Sequence, residues 1–282
     1  MVRTGPKGGH RSPVSAAPST VLVLGAKGFV GSAVAAEAAR RGFRLLAVDK
    51  DDYETARGAS CDILINANGN SKKYLAAQDP MLEFDLSVRS VERSLHDFRP
   101  ALYVHLSSCD VYPDPSSPAT TVEDVPIDPR RLSQYGFHKW LAEQLVRHDT
   151  PRWLIIRMGG FVGPRLWKNS IHDLFTGAPL RVHLDSAYQY LDTRDFAGIL
   201  FSLIAANLEP TIINVAGDGV IRLREVAEWL GVVDPPQISS EVPREHYEIS
   251  IARLRTYAAP PNTHATVRRF VDECRRLGRI PP

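Results

Sequence analysis

Cysteine is scarce in this 282-residue chain, which has only Cys61, Cys109 and Cys274. Three widely separated thiols build neither a disulfide framework nor a zinc spacing, so a reducing compartment is the simpler reading. Lysine is scarce too, with seven residues against 27 arginines. The formal net charge is only +2, and no basic stripe lies beyond the first residues, which argues against a nucleic-acid partner. No apolar run approaches the roughly 18 residues of a membrane span. The nine histidines show no HxxxH or carboxylate pairing of the kind that holds a metal. A cytoplasmic protein that uses no metal, membrane or nucleic acid is the expectation.

Apolar residues make up 44% and charged residues 23%, as in ordinary globular proteins. The length allows one large domain, or a core domain with a smaller cap. Residues 1–19, rich in Pro, Gly, Ser and basic residues with no apolar stretch, read as a flexible arm and not as a signal peptide.

From Thr20 onward, apolar runs alternate with helical patterns. Strands are expected over 20–24, 44–49, 62–66, 102–106 and 153–157, the first two as strands buried on both faces. Helices are expected over 32–39, 81–97 and 134–147. Such alternation implies crossover connections and a parallel sheet covered on both sides. After residue 157 the pattern loosens, with two helices expected near 193–206 and 222–230. The fold class is therefore α/β: a doubly wound, Rossmann-like parallel sheet with helices on both faces. Residues 20–157 form the dinucleotide-binding core, and 158–282 form a small C-terminal substrate-binding region with some segments returning to the core.

Between the first strand and the first helix lies Gly25-Ala26-Lys27-Gly28-Phe29-Val30-Gly31. A dinucleotide pyrophosphate must come close to a helix N-terminus, where free N–H groups and the helix dipole favour anions. Gly25 permits the tight turn, Gly28 admits phosphate to the backbone, and Gly31 lets helix pack on strand. Asp49, ending the second strand, is placed to accept hydrogen bonds from an adenine ribose, which favours NAD; Lys50 beside it leaves NADP open.

Further on, Ser107-Ser108-Cys109-Asp110-Val111-Tyr112 ends a strand and Tyr135-Gly136-Phe137-His138-Lys139 opens a helix. With the glycine turn, in this order, these segments resemble the extended short-chain dehydrogenase/reductases, the NAD-dependent epimerase/dehydratase family. The similarity continues through Ile156-Arg157, Gly163-Pro164, Asp192-Thr193-Arg194-Asp195 and Ile213-Asn214-Val215-Ala216-Gly217, covering about residues 20 to 255.

The chemistry follows from the residues. Tyr135 and Lys139 share one helical face. A free phenol has a pKa of about 10, which an adjacent ammonium lowers. Tyr135 is then able to exchange a proton with a substrate hydroxyl as hydride passes between carbon and nicotinamide. Ser108 would hydrogen-bond the same oxygen. The resemblance implies that Lys139 also holds the nicotinamide ribose, and that the substrate is a nucleotide-linked sugar. Asn68 and Gly69, after the 62–66 strand, face the cofactor or simply form an Asx turn. The resemblance also implies a dehydratase reading, in which two acidic residues at this strand end help to eliminate water; here only Asp110 is acidic. Cys109 reads as a small packing residue, and His138 as a packing residue or a partner standing behind the catalytic pair. Arg157, Arg165, Arg181 and Arg194 are candidate phosphate or sugar contacts. Epimerase, reductase and dehydratase activity remain open, as do a non-catalytic NAD(P)-binding sensor or scaffold and a homodimer.

The chain is also short for this resemblance. Only twelve residues separate Asp49 from Asp62, room for one short helix where the family fits a helix, a strand and a helix. The sheet is expected to lack its usual third strand, at the adenine end.

Overall fold

Alternating strand and helix build the first half of the molecule in the computed structural model, which describes residues 19–278. The arm expected over 1–19 lies outside those residues, except for Ser19. The elements run β1 (Thr20–Leu24), α1 (Phe29–Arg40), β2 (Arg44–Val48), α2 (Tyr53–Ala56), β3 (Ser60–Asn66), α3 (Lys73–Gln78), α4 (Pro80–Phe84), α5 (Ser90–Asp97), β4 (Arg99–Ser108), α6 (Gln134–Asp149) and β5 (Trp153–Met158). They continue with β6 (Gly160–Val162), α7 (Ser170–Thr176), β7 (Ala187–Tyr188), β8 (Tyr190–Asp192), α8 (Thr193–Ala205), β9 (Thr211–Val215), β10 (Ile221–Arg222), α9 (Leu223–Leu230), β11 (His246–Tyr247) and α10 (Thr263–Arg276).

Six strands form one sheet in the order β2-β1-β3-β4-β5-β9, every pair parallel. Alternation along β1 sends Val21 and Val23 to one face, under α1 and α8, and Leu22 and Leu24 to the other, under α5 and α6. Both layers are buried, so the apolar runs need no polar face. β1 pairs with β2 on one side and β3 on the other. The order reverses there, which opens a crevice at the carboxyl ends of the strands where such sheets bind ligands.

β2 is the edge of this sheet, and of its five residues only Val48 is buried. The expectation of a second strand buried on both faces is therefore corrected: nothing pairs its outer side among the described residues. The single-turn helix α2 fills the space before β3, in agreement with the short spacing. The helix expected over 81–97 is divided. Asp79 caps α4 by accepting the Leu82 N–H at 2.9 Å, and a π-helical turn over Asp85–Arg89 joins α4 to α5.

The C-terminal half holds four helices among the described residues, α7 to α10, rather than the two expected. Three of them, α7, α9 and α10, enclose a second apolar core, with Ile171 and Leu174 of α7, Val226 of α9, and Val267, Phe270 and Val271 of α10. β9 and α8 return to the main sheet.

Candidate active site

The glycine turn leaves β1 with Gly25 at φ +75°, its N–H on the Val48 carbonyl at 2.8 Å. A Cβ on Gly31 would stand 2.1 Å from the Gly25 carbonyl oxygen, and one on Gly25 would stand 3.0 Å from that of Ala67. The cradle closes only with hydrogen at both positions. No side chain caps α1 at Gly28, so the N–H groups of Phe29 and Val30 remain for an anion. The residues present fit a dinucleotide.

Beside the turn, Asp49 accepts the backbone N–H of Lys27 at 3.1 Å and of Lys50 at 2.8 Å. These bonds fix the carboxylate at the mouth of a cavity of about 580 Å³, whose lining includes Gly25, Lys50, Tyr53, Asn68 and Arg93. The Lys27 ammonium turns away to Asp52 at 3.3 Å. Asn68 donates its N–H to Asn66 Oδ1 at 3.0 Å, an Asx turn. Gly69 follows at φ +131°, where a Cβ would lie 3.1 Å from Lys139 Nζ.

One close packing seats the helix that carries Tyr135 and Lys139 on the turn that begins at Ser108. Ser133 caps α6, accepting the Gly136 N–H at 3.1 Å. A Cβ on Gly136 would meet the Asp110 carbonyl at 2.1 Å, so α6 seats directly on the turn that follows β4. Tyr135 and Lys139 are only 7% and 6% exposed, with the ammonium 5.4 Å from the centre of the Tyr135 ring. The Tyr135 hydroxyl donates to the Asn70 carbonyl at 3.2 Å. Ser108 Oγ donates to Asp110 Oδ2 at 2.8 Å.

The electrostatics differ from the expectation. Burial, then the Asp110 charge, pushes the Tyr135 phenol up, with Lys73 opposing. Burial pushes Lys139 down to about 8, against the pull of Glu83 and Asp110. An ammonium next to the ring thus does not lower the phenol here, because desolvation outweighs it and Asn70 accepts from the neutral form.

Three residues at the site escaped the sequence analysis. Lys73 binds Asp110 Oδ1 at 2.6 Å, and Tyr247 donates to the same oxygen at 3.1 Å. Burial works against the Lys73 charge, but Asp110 and Tyr247 outweigh it and hold the ammonium well above its ordinary value. Glu83, fully buried, receives Ser87 Oγ and pairs with His138 Nδ1. His138 is accordingly a buried partner behind the site, as expected, and Cys109 is a buried thiol pushed up to about 12 by burial and Asp110.

Two of the four arginine candidates are corrected outright. Arg157 is 3% exposed and bonds both carboxylate oxygens of Glu143, at 3.1 and 2.8 Å; it ties β5 to α6. Arg194 pairs with Asp192 and Glu273, at 2.8 and 2.7 Å. Arg165 is exposed in a left-handed turn. Arg181, also exposed, stands 5.1 Å over the Tyr74 ring.

The fold is similar to those of known enzymes. One is a UDP-galactose 4-epimerase, 22% identical, covering 88% of this chain and 95% of that one, with a TM-score of 0.72. Another is MoeE5 in complex with UDP-glucose and NAD, 17% identical, covering 91% and 99%, with a TM-score of 0.77. A third is the dTDP-4-dehydrorhamnose reductase of Bacillus anthracis in complex with NADP, 15% identical, covering 92% and 99%, with a TM-score of 0.72. No curated protein sequence matches the chain. The family model of the NAD dependent epimerase/dehydratase family matches residues 21–216, and the chain belongs to that family of enzymes.

Proposed function

We propose that the protein moves a hydride between a nicotinamide cofactor and a carbinol or ketone of a nucleotide-linked sugar, with Tyr135 as acid/base. The observation that carries this reading is the convergence of Tyr135 and Lys139 of α6 on the Gly69–Asn70 backbone, with α6 seated through Gly136 on the turn that begins at Ser108. The turn Gly25–Gly31 would hold the pyrophosphate, with Lys27, Phe29 and Val30 between its glycines. Asp49, with Lys50 beside it, would take the adenine ribose, and Asn68, Gly69 and Lys139 would flank the nicotinamide end. Asp49, fixed by two backbone N–H groups, favours NAD over NADP. When bound, the nicotinamide supplies the hydride acceptor or donor.

The chain's own residues handle the proton. Held as a neutral phenol by burial, Tyr135 gives its proton to the substrate oxygen in reduction and recovers it from the hydroxyl in oxidation. Ser108 turns from Asp110 to the same oxygen and orients it. Lys139, with its positive charge beside the ring, stabilises the phenolate formed when the proton has left.

Tyr135→Phe tests the assignment. Turnover of a nucleotide sugar, followed by product analysis and nicotinamide absorbance, is expected to fall about 10²–10⁴-fold, with NAD affinity unchanged. Full retention of turnover removes Tyr135 from the reaction. Asp110 supports a second reading, a dehydratase, because its carboxylate lies within hydrogen-bond reach of Ser108 and Lys73; loss of water from the product distinguishes it.

A further inference from the structure

Four of the chain's seven lysines meet at this site. Lys139 lies under Gly69. Lys168, between β6 and α7, donates its ammonium to the Ser71 carbonyl two residues further along the same turn. Lys72 and Lys168 stand 5.2 and 5.4 Å from the centre of the Trp167 indole, and Lys73 rests on Asp110. Among the described residues, Lys73 alone of the four has a carboxylate within 4.0 Å. The others crowd one another: burial, then Lys72, Lys139 and Lys73, push Lys168 down to about 8. Concentrated positive charge beside a half-exposed aromatic ring (Trp167 is 49% exposed) is the electrostatic complement of an anion.

The position of the cluster says which part of a substrate brings that anion. Asn70, between Gly69 and Ser71, accepts the Tyr135 hydroxyl at 3.2 Å. Lys139 and Lys168 thus reach the backbone on either side of the residue that holds the acid/base oxygen, which puts the group that the cluster attracts on the reacting side of the substrate. We propose that the sugar ring of the substrate itself carries a carboxylate, received by Lys72 and Lys168 beside Trp167, so that the protein acts on a nucleotide-linked uronic acid. This rests on the hydride-transfer reading above and narrows its substrate class. A carboxylate there relieves the repulsion among the lysines and gains charge-assisted hydrogen bonds.

Calorimetric titration of the NAD-saturated full chain with UDP, UDP-glucose and UDP-glucuronic acid tests the proposal. The uronic acid is expected to bind about tenfold tighter than UDP-glucose, as one charge-assisted contact provides. In Lys72→Gln/Lys168→Gln that preference is expected to fall below about twofold, while retained NAD affinity shows the variant to be folded. Equal affinity of the wild type for both sugars overturns the proposal. So does a double variant that weakens UDP and both sugars by one common factor, since the lysines would then hold the shared diphosphate. If NAD binds and none of the three nucleotides does, the nucleotide-sugar reading itself fails and takes this one with it.

Discussion

The two ends of the candidate site are built to different standards. At the Tyr135 end the side chains of Tyr135 and Lys139 are almost fully buried, and the helix that carries them is seated through Gly136 on the Asp110 carbonyl. At the Asp49 end the neighbouring ion pair, Lys27 with Asp52, leaves its side chains 64% and 53% exposed, and the cavity stands open beside the edge strand. The difference teaches where geometry is needed. Proton transfer demands atoms held within hydrogen-bond reach and away from water, whereas adenine recognition adds affinity and tolerates a looser wall.

Breaking the rigid end should have the largest effect. Arg157→Met leaves Glu143 buried with only Ser107 for a partner, and is expected to destabilise the protein by about 3–5 kcal/mol, read from urea unfolding. Arg157→Met/Glu143→Leu should recover most of that loss, because the uncompensated charge is gone.

Next comes the charge on Lys139. Its folded-state pKa, about 8, lies below the ordinary 10.5, so the unfolded chain binds more protons between those values. The penalty for burying this ammonium is in full force below pH 8 and fades as pH rises toward 10.5. Lys139→Met is therefore expected to stabilise the protein at pH 7 by on the order of 2 kcal/mol. The advantage over wild type should shrink as the unfolding series moves to pH 10; a constant difference would contradict the assignment.

The open end should respond least. Asp49→Ala is expected to weaken NAD about tenfold, measured by titration, with turnover at saturating NAD preserved. Lys27→Ala, which removes only an exposed ion pair, should leave the urea unfolding midpoint unchanged. A larger effect of Lys27 than of Arg157 would invert the contrast between the ends.

How much was legible follows the range of the signals. The β1–turn–α1 unit and the Tyr135/Lys139 helix are local patterns, and both appear where the spacing put them. The missing strand was legible as a short interval before Asp62, and β2 is indeed an edge. Arg157 misled because its partner Glu143 lies on another element, beyond any local pattern. Lys73 and Tyr247 are 174 residues apart in sequence and meet only through tertiary packing. The C-terminal half resisted because its strands, β9 apart, are two or three residues long, too short for a period to show. α10 was within reach: Val267, Phe270, Val271 and Cys274 recur at helical spacing behind the Asn262 cap.

The exposed edge at β2 has a consequence for how copies of this protein meet one another. A sheet that stops at β2 presents, among the described residues, an unpaired row of backbone N–H and C=O groups, which is a template for strand addition between molecules. Here the row is only five residues long, with Arg41 and the exposed Arg44 at its start and Asp49, Lys50, Asp51 and Asp52 at its end. Brevity and charged side chains at both ends make such an edge a poor template. The trimmed sheet is thus guarded where it was cut.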